Sequence, residues 1–394
     1  MGNREPGMGT TGDQWAEGLA MPAVRALRAY DPGHDLVALR RRAAGTGLVE
    51  LGSNENPWGP SPRALDAAAA VLGELHRYPD PLGGDLKRAL AVEHGIDALQ
   101  IVLGNGSHEL LMQLAQAFAG PGVDVVASQF GFAVYAIAAK AVGAHLRIAP
   151  ALPLDDAMPR GHDLDAIAGT ITPATRLVYL ANPNNPTGTW FARDAFAAFM
   201  ARVPDHAIVV LDEAYAEIAD APDFGSALPL LGAHRNLVVT RTFSKAYALA
   251  GLRVGYAIAH PALAAVLERL RESFNVNAVA LAAAEAALGD RDWLRDTLAA
   301  NTREREALAA ALRERGWPVS PSQTNFLMVE FGARTARIEQ ALLERGVVLR
   351  PMAGYGLPEC LRISVGSPDE NRRLLAALDE LATTSDFSAT DQRG

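Results

Sequence analysis

The sequence predicts an α/β protein: a large domain with a mostly parallel mixed sheet flanked by helices, followed by a smaller α+β C-terminal domain. Two observations carry this. From about residue 100, short and nearly continuous apolar runs alternate with helical stretches, as strands buried on both faces of a parallel sheet do. After about residue 285 the texture changes to long charged amphipathic helices separated by isolated strands. The length, 394 residues, suits two such units.

Taken in order, residues 100–103 (QIVL) form the first strand, and Gly-Asn-Gly-Ser then opens a helix that runs to Phe118. Residues 123–127 form the second strand, and 132–141 are helical. The runs 176–180, 207–211 and 237–240 are the third, fourth and fifth strands, and 252–259 (LRVGYAIA) reads as an edge strand. The C-terminal unit begins with an amphipathic helix over 292–315 and a strand near 325–329. A helix at 335–345, strands at 347–350 and 361–365, and a last helix at 369–382 complete it. The expected organisation is an N-terminal arm with part of the small domain at 1–75, the large domain at 76–285 and the small domain at 286–394. The polar ends, 1–18 and 384–394, are expected to be disordered.

Composition excludes several classes. Lys and Arg number 36 against 45 Asp and Glu, for a net charge of −9. Such a surface does not favour nucleic acid or anionic membranes. The 49% apolar content excludes a disordered chain. The single cysteine, Cys360, permits neither an intrachain disulfide nor a Cys-based zinc site, and points to a reducing, cytoplasmic setting. The histidines show no ligand spacing, so no metal is expected. No signal-like or membrane-spanning apolar run occurs.

Ligands of open parallel sheets sit at the carboxyl ends of the strands, so the residues following each strand carry the chemistry. After the first comes Gly104-Asn105-Gly106-Ser107-His108-Glu109, either an anion site at a helix N-terminus or a tight turn with Ser107 as the cap. After the third comes Asn182-Pro183-Asn184-Asn185-Pro186-Thr187-Gly188, a rigid loop in which Asn185 offers an amide. Asp212 and Tyr215 follow the fourth strand; a carboxylate there needs a partner, or else caps a helix. Lys245 follows the fifth as a candidate Schiff-base amine or a surface lysine, and Arg253 is a candidate phosphate clamp or an ion-paired residue on an edge strand. Together these residues supply an amine, an acid, a phenol, an amide, a guanidinium and a phosphate cradle. That set matches the needs of pyridoxal 5′-phosphate.

Ser53-Asn54-Glu55-Asn56-Pro57, Arg77-Tyr78-Pro79-Asp80, the NPNNPTG run, Asp-Glu-Ala-Tyr, Ser-Lys-x6-Leu-Arg-x-Gly-Tyr and Leu361-Arg362-Ile363-Ser364-Val365-Gly366 resemble the fold-type I pyridoxal-phosphate-dependent aminotransferases. Among these the chain resembles the histidinol-phosphate aminotransferases, from about Tyr30 to Ala382. The resemblance implies roles for individual residues. Lys245 would bond the cofactor and shuttle the proton, and Asp212 would keep the pyridine nitrogen protonated. Asn185 and Tyr215 would hold the ring hydroxyl, and Phe132 would stack on the ring with Tyr135 nearby. Gly106, Ser107, His108, Ser244 and Arg253 would hold the phosphate, joined by Tyr78 from the other subunit of a homodimer. Arg362, with Asn54 and an N-terminal Tyr30 as cover, would bind substrate.

The resemblance further implies ping-pong exchange of histidinol phosphate with 2-oxoglutarate, giving imidazole acetol phosphate and glutamate in histidine biosynthesis. A phosphate ester asks for a second cation beside Arg362, and Arg350, twelve residues earlier, supplies it, unless it pairs with a surface acid. Three positions depart from the usual pattern. His108 stands where the family has Asp or Asn and could gain positive charge beside the phosphate; His34 replaces a common Lys; Trp58 is larger than usual. The competing reading is an aromatic amino-acid aminotransferase on the same scaffold. More remote are a phosphothreonine decarboxylase and a cofactor-binding transcription regulator; the latter would need a DNA-binding module, and only about fifty residues precede the SNENP run.

Overall fold

The computed structural model describes residues 14–25, 27, 34–42 and 47–383. A seven-stranded sheet organises the larger part. Its strands are β1 (Ile101–Gly104), β2 (Asp124–Ser128), β3 (His145–Ala149), β4 (Thr175–Ala181), β5 (Ile208–Asp212), β6 (Leu237–Thr242) and β7 (Gly255–Ala259). The spatial order is β1-β7-β6-β5-β4-β2-β3, and only β7 runs against the others.

The pleat sorts side chains into two cores. Val126, Val178, Leu180, Val209, Leu211 and Val239 face one side. Val125, Leu177, Tyr179, Val210 and Val238 face the other. This period of two leaves both faces apolar, so helices must cover both. On the second side lie α1 (Ser107–Phe118) and α2 (Ala133–Ala141), which present Leu110, Leu111, Leu114 and Val134, Tyr135, Ala138. On the first side the alanine-rich helix Ala278–Gly289 packs on Pro62–Ala70 and Gly84–His94.

The sheet differs from the sequence reading at its margins. The run at 252–259 is not an edge strand: β7 lies between β1 and β6, with all five residues buried. Arg253 precedes the strand in a left-handed turn, φ 57°. The real edge on the far side is β3, absent from the reading because its HLRIA sequence is half exposed and lacks an apolar run. Ser107 is not the cap of α1; Gly106 takes that position, and Ser107 is the first helical residue.

The smaller unit carries a three-stranded antiparallel sheet, β9-β10-β8, from β8 (Phe326–Glu330), β9 (Arg350–Pro351) and β10 (Cys360–Ser364). The run at 347–350 splits: Val347–Val348 pairs in parallel with Val49–Glu50, and β9 joins the other sheet. Helices Arg291–Glu314, Thr335–Glu344 and Pro368–Thr383 cover this unit through Leu308, Leu312, Ile338, Leu342, Leu374 and Leu378. The segment before residue 76 divides between the cores: Val49 and Leu51 belong to the small one and Ala64 to the large one. The polar stretch expected to be disordered ends in a short helix, Gln14–Leu19; residues 1–13 and 384–394 lie outside the described residues. Cys360 is buried in β10, and burial pushes its thiol up to about 11.

At the amino end of the sheet one carboxylate clasps the edge strand. Asp124 accepts from Thr172 Oγ1 at 2.6 Å and Arg147 Nε at 2.5 Å, and pairs with His145 Nδ1 at 2.9 Å. The Thr172 hydroxyl, aided by Arg147 and His145 and opposed by burial, brings its carboxyl down to about 2. A depressed pKa contributes stability that is complete above the unfolded value, about 3.9, and lost as pH falls through the folded one. Asp124→Asn is therefore expected to lower Tm at pH 7, with the deficit shrinking between about pH 4 and pH 2. Thermal melts across that range check it; a deficit that does not change with pH would refute the assignment.

Candidate active site

The carboxyl ends of the parallel strands converge on one cavity of about 290 Å³. It is lined by Asn54, Ser107, His108, Phe132, Asn185, Asp212, Tyr215, Ser244, Lys245, Arg253, Arg350 and Arg362, twelve positions singled out from sequence. The topology explains the convergence: β1, β4, β5 and β6 deliver their following loops to the same end.

Asp212 ends β5 and is 5% exposed. Its carboxylate accepts from Tyr135 Oη at 3.1 Å and Thr240 Oγ1 at 3.2 Å. Burial pushes it up to about 6, against those two donors. Register supplies one donor, since Thr240 lies beside Asp212 on β6. Helix α2 supplies the other: Tyr135 stacks on Tyr179 of β4 at 5.1 Å and meets Phe132 edge-on at 5.9 Å. Asp212 and Glu213, adjacent in the chain, point to different environments. Glu213 is fully buried, accepting from Arg241 Nη2 at 2.7 Å, Ser226 Oγ at 2.7 Å and the Ala227 amide at 2.6 Å.

Lys245 follows β6 in a turn. Its Nζ donates to the carbonyls of Asn54 at 3.0 Å and Ser53 at 3.3 Å. Burial, reinforced by Arg362 and opposed by Glu55, brings the amine down to about 7. At the other side, Ser107, Ser244 and Arg253 gather where α1 begins. Arg253 Nη1 donates to Ser244 Oγ at 3.2 Å and to the Ala250 carbonyl at 2.9 Å. Gly106 has φ 79°, and a Cβ there would strike the Arg253 guanidinium, so the close approach requires glycine. Free amides at the start of a twelve-residue helix, two hydroxyls and a guanidinium form an anion cradle. His108 lines the same end, but burial and the Arg253 charge lower its pKa.

The small unit closes the cavity. Arg362 on β10 donates through Nη1 to Asn185 Oδ1 at 2.6 Å and through Nη2 to the Gly52 carbonyl at 2.9 Å. Arg350 on β9 is its register partner and lines the same cavity. Asn54, with φ 55° and 1% exposed, donates from Nδ2 to Tyr215 Oη at 2.9 Å, and its amide donates to Ser364 Oγ at 2.8 Å.

Three expected residues are not part of this cavity lining. Gly106 acts behind it as backbone. Tyr78 is 80% exposed and stacks on Phe274 with centroids 4.5 Å apart. Tyr30 lies outside the described residues. His34 joins Glu339 of the small unit, Nε2 to Oε1 at 2.6 Å, and Trp58 lines a separate small pocket beside Lys245. Sequence reasoning missed Thr240 and Tyr355 and did not give Tyr135 its bond to Asp212. Tyr355 lines the cavity and accepts from the Ala133 amide at 3.4 Å. Thr240 was legible only once β5 and β6 were paired; Tyr355 lies outside every strand-end motif of the large sheet.

These groups fit an aromatic phosphate ester with a basic ring nitrogen and an aldehyde. Asp212 is a desolvated acid whose ionised form a ring cation would stabilise. The anion cradle and a deprotonable amine stand at the right chemical poles. Pyridoxal phosphate has all three features.

Comparison with known proteins agrees with this donor set. The family described as aminotransferase class I and II matches residues 46–378. Histidinol-phosphate aminotransferase 2 of Pseudomonas aeruginosa is 47% identical over 365 residues, 92% of this chain and 97% of that protein. The chain is a member of the class I and II aminotransferases, in the histidinol-phosphate aminotransferase family. The Methylococcus capsulatus member is 47% identical over 363 residues, 92% of this chain and 98% of that one. The crystal structure of the Sinorhizobium meliloti histidinol-phosphate aminotransferase, in complex with pyridoxal-5′-phosphate, superposes with a TM-score of 0.82 at 31% identity, covering 92% of this chain and 96% of that one. Among the described residues, no helix is long and apolar enough to cross a membrane.

Two outcomes are expected of the cofactor-free protein. Uptake of pyridoxal phosphate, followed by visible absorbance, rises with pH around about 7, where the Lys245 amine becomes neutral; a rise only near the ordinary lysine value, about 10.4, would refute the burial argument. Tyr135→Phe, which removes one donor to Asp212, weakens cofactor binding about five-fold, the worth of one hydrogen bond of about 1 kcal/mol. Equilibrium titration with the cofactor measures the second.

Proposed function

We propose that this chain is the pyridoxal-phosphate-dependent transaminase of histidinol phosphate in histidine biosynthesis. It exchanges that amine with 2-oxoglutarate to give imidazole acetol phosphate and glutamate, and works in the cytoplasm as a homodimer. One observation carries the substrate: Arg350 and Arg362 stand directly opposite on neighbouring strands and line one cavity. Like charges so placed repel each other. A dianionic phosphate relieves that repulsion and uses both forks, whereas a single carboxylate needs one.

When bound, pyridoxal phosphate supplies an electron sink for charge developing at the substrate Cα. The chain's own residues do the rest. Ser107, Ser244, Arg253 and the amides after Gly106 hold the cofactor phosphate, with His108 beside them. Asp212 holds a proton on the ring nitrogen. Asn185 and Tyr215 hold the ring hydroxyl, and Phe132 covers the ring. Lys245 removes the Cα proton and returns it elsewhere, as a general base whose pKa near 7 suits the task. Asn54 orients Tyr215 and the Lys245 amine together. Arg350 and Arg362 fix the substrate phosphate, and Tyr30 is the proposed cover.

The dimer reading is supported by the exposed apolar side chains Leu72, Leu75, Tyr78 and Leu82, close together in sequence. Tyr78, exposed among them, is the residue proposed to donate to a second copy's phosphate cradle. Sedimentation tests the dimer. Loss of cofactor affinity in Tyr78→Phe tests the donation.

The deciding experiment is a half-reaction. Holoenzyme is mixed with histidinol phosphate, glutamate or phenylalanine, and the loss of cofactor absorbance is followed. Histidinol phosphate and glutamate are expected to react fast and phenylalanine slowly. Arg350→Ala is expected to lower kcat/KM for histidinol phosphate by about ten- to a hundred-fold, the worth of charge-assisted hydrogen bonds, and to affect phenylalanine far less. Equal losses would remove Arg350 from the substrate phosphate, and fast phenylalanine without histidinol phosphate turnover would favour the aromatic reading.

A further inference from the structure

The cavity is lined by charges of both signs. Arg350 and Arg362 line it from the small sheet, and Glu55 lines it as well. Glu55 and Ala250 also line a second, adjoining cavity that neither arginine reaches. Glu55 therefore stands where the two cavities meet. Its backbone is pinned from both sides. The Glu55 carbonyl accepts from Asn325 Nδ2 at 3.3 Å, and the neighbouring Asn56 Nδ2 donates to the Ala246 carbonyl at 3.1 Å. The residue before it, Asn54, is held in the left-handed region by four hydrogen-bond partners: Ser364, Tyr215, Lys245 and Asn325.

The charges around Glu55 do not neutralise it by direct contact. Arg40 feels its charge but is committed to a bidentate pair with Glu50, 2.6 Å on each arm. Lys245 is turned to the Ser53 and Asn54 carbonyls. Glu370 lines the second cavity as well and brings a further carboxylate to it.

We propose that Glu55 is the ring-recognition residue of this site: its carboxylate accepts a hydrogen bond from an imidazole N–H of the substrate whose phosphate lies on Arg350 and Arg362. The inference deepens the proposed function and rests on it. An imidazole ring offers an N–H in its neutral form, and charge as well in its protonated form. A phenyl ring offers neither, so binding it desolvates the carboxylate without return. A second acid in place of the ring, the distal carboxylate of glutamate, meets a like charge. The same residue thus favours the imidazole substrate and opposes the glutamate partner, a split that general loosening of the site does not produce.

The test uses Glu55→Gln holoenzyme, which keeps the size of the side chain and removes its charge. Half-reactions are measured with histidinol phosphate, with its phenyl analogue (phenylalaninol phosphate) and with glutamate. In parallel, calorimetry measures binding of the two phosphates to the pyridoxamine form, which an amine substrate cannot convert. Removing the charge also moves the Lys245 amine, but equally for both phosphates, so their ratio isolates the ring. The expected result is a fall of about ten-fold in the preference for imidazole over phenyl, in kcat/KM and in binding, together with faster glutamate turnover. An unchanged ratio, or a parallel loss for all three substrates, overturns the role of Glu55 while leaving the proposed reaction intact. A wild-type enzyme inert to histidinol phosphate overturns both.

Discussion

A carboxylate buried at the end of a parallel strand is the constraint on which the rest of this site depends. Asp212 cannot remain ionised in an apolar sheet without donors, and two elements are committed to supplying them. The β6 register brings Thr240 alongside, and Tyr135 reaches down from α2. That second bond has consequences beyond Asp212. It fixes the start of α2, stacked through Tyr135 on Tyr179, and so fixes Phe132 at the cavity wall. Even so, burial prevails over both hydroxyls and leaves the carboxyl near 6. The site is built one cation short, and a protonated ring nitrogen is the group that completes it.

The second dependency is the extended segment from Gly52 to Asn56, which belongs to neither unit alone. Gly52 takes Arg362 from β10, Asn54 takes Ser364 from β10 and Tyr215 from beyond β5, and the Ser53 and Asn54 carbonyls take Lys245. A short stretch of backbone therefore links the anion-binding arginine to the reactive amine. Asn54 needs a positive φ to present its carbonyl and its side chain in different directions. A non-glycine residue held there costs of order 1–3 kcal/mol, tolerated only where surrounding bonds over-determine it. Four partners do so here.

The strand-end residues were legible in the sequence because parallel-sheet topology places them by rule. Each apolar run predicted where its following loop would go, and Ser107, Asn185, Asp212, Tyr215, Ser244 and Lys245 meet at one cavity as that rule requires. What the sequence did not reveal depends on pairings distant along the chain. Nothing local marks Thr240 as the neighbour of Asp212, or Arg350 as the cross-strand partner of Arg362, until registers exist. Strand β3 escaped because an edge strand needs no continuous apolar run, and β7 was misplaced because its central position depends on pairing with both β1 and β6. Tyr355 reaches the cavity from the small unit, where no strand-end rule applies. The family resemblance suggested roles that spacing could not, above all the proposed donation by Tyr78 to a second copy.

The pleat explains why the site keeps its uncompensated acid. Around Asp212 lie other charges that could have neutralised it. Arg241, on the adjacent strand, is one residue from Thr240, which does touch Asp212. Alternation turns Arg241 to the opposite face, where Glu213 and Glu217 hold it at 2.7 Å and 3.1 Å. Burial on that face pushes Glu217 up, against the Arg241 charge that holds it down. A register slip of one residue between β5 and β6 would exchange these environments and seat Arg241 against Asp212. The carboxylate would then be fully paired and useless to a cofactor cation. Such a slip would be costly, because it would strand Glu213 and Glu217 in the core without their guanidinium. The same two strands thereby hold one compensated charge cluster and one deliberately incomplete one, and it is the separation of the two that leaves a site for chemistry.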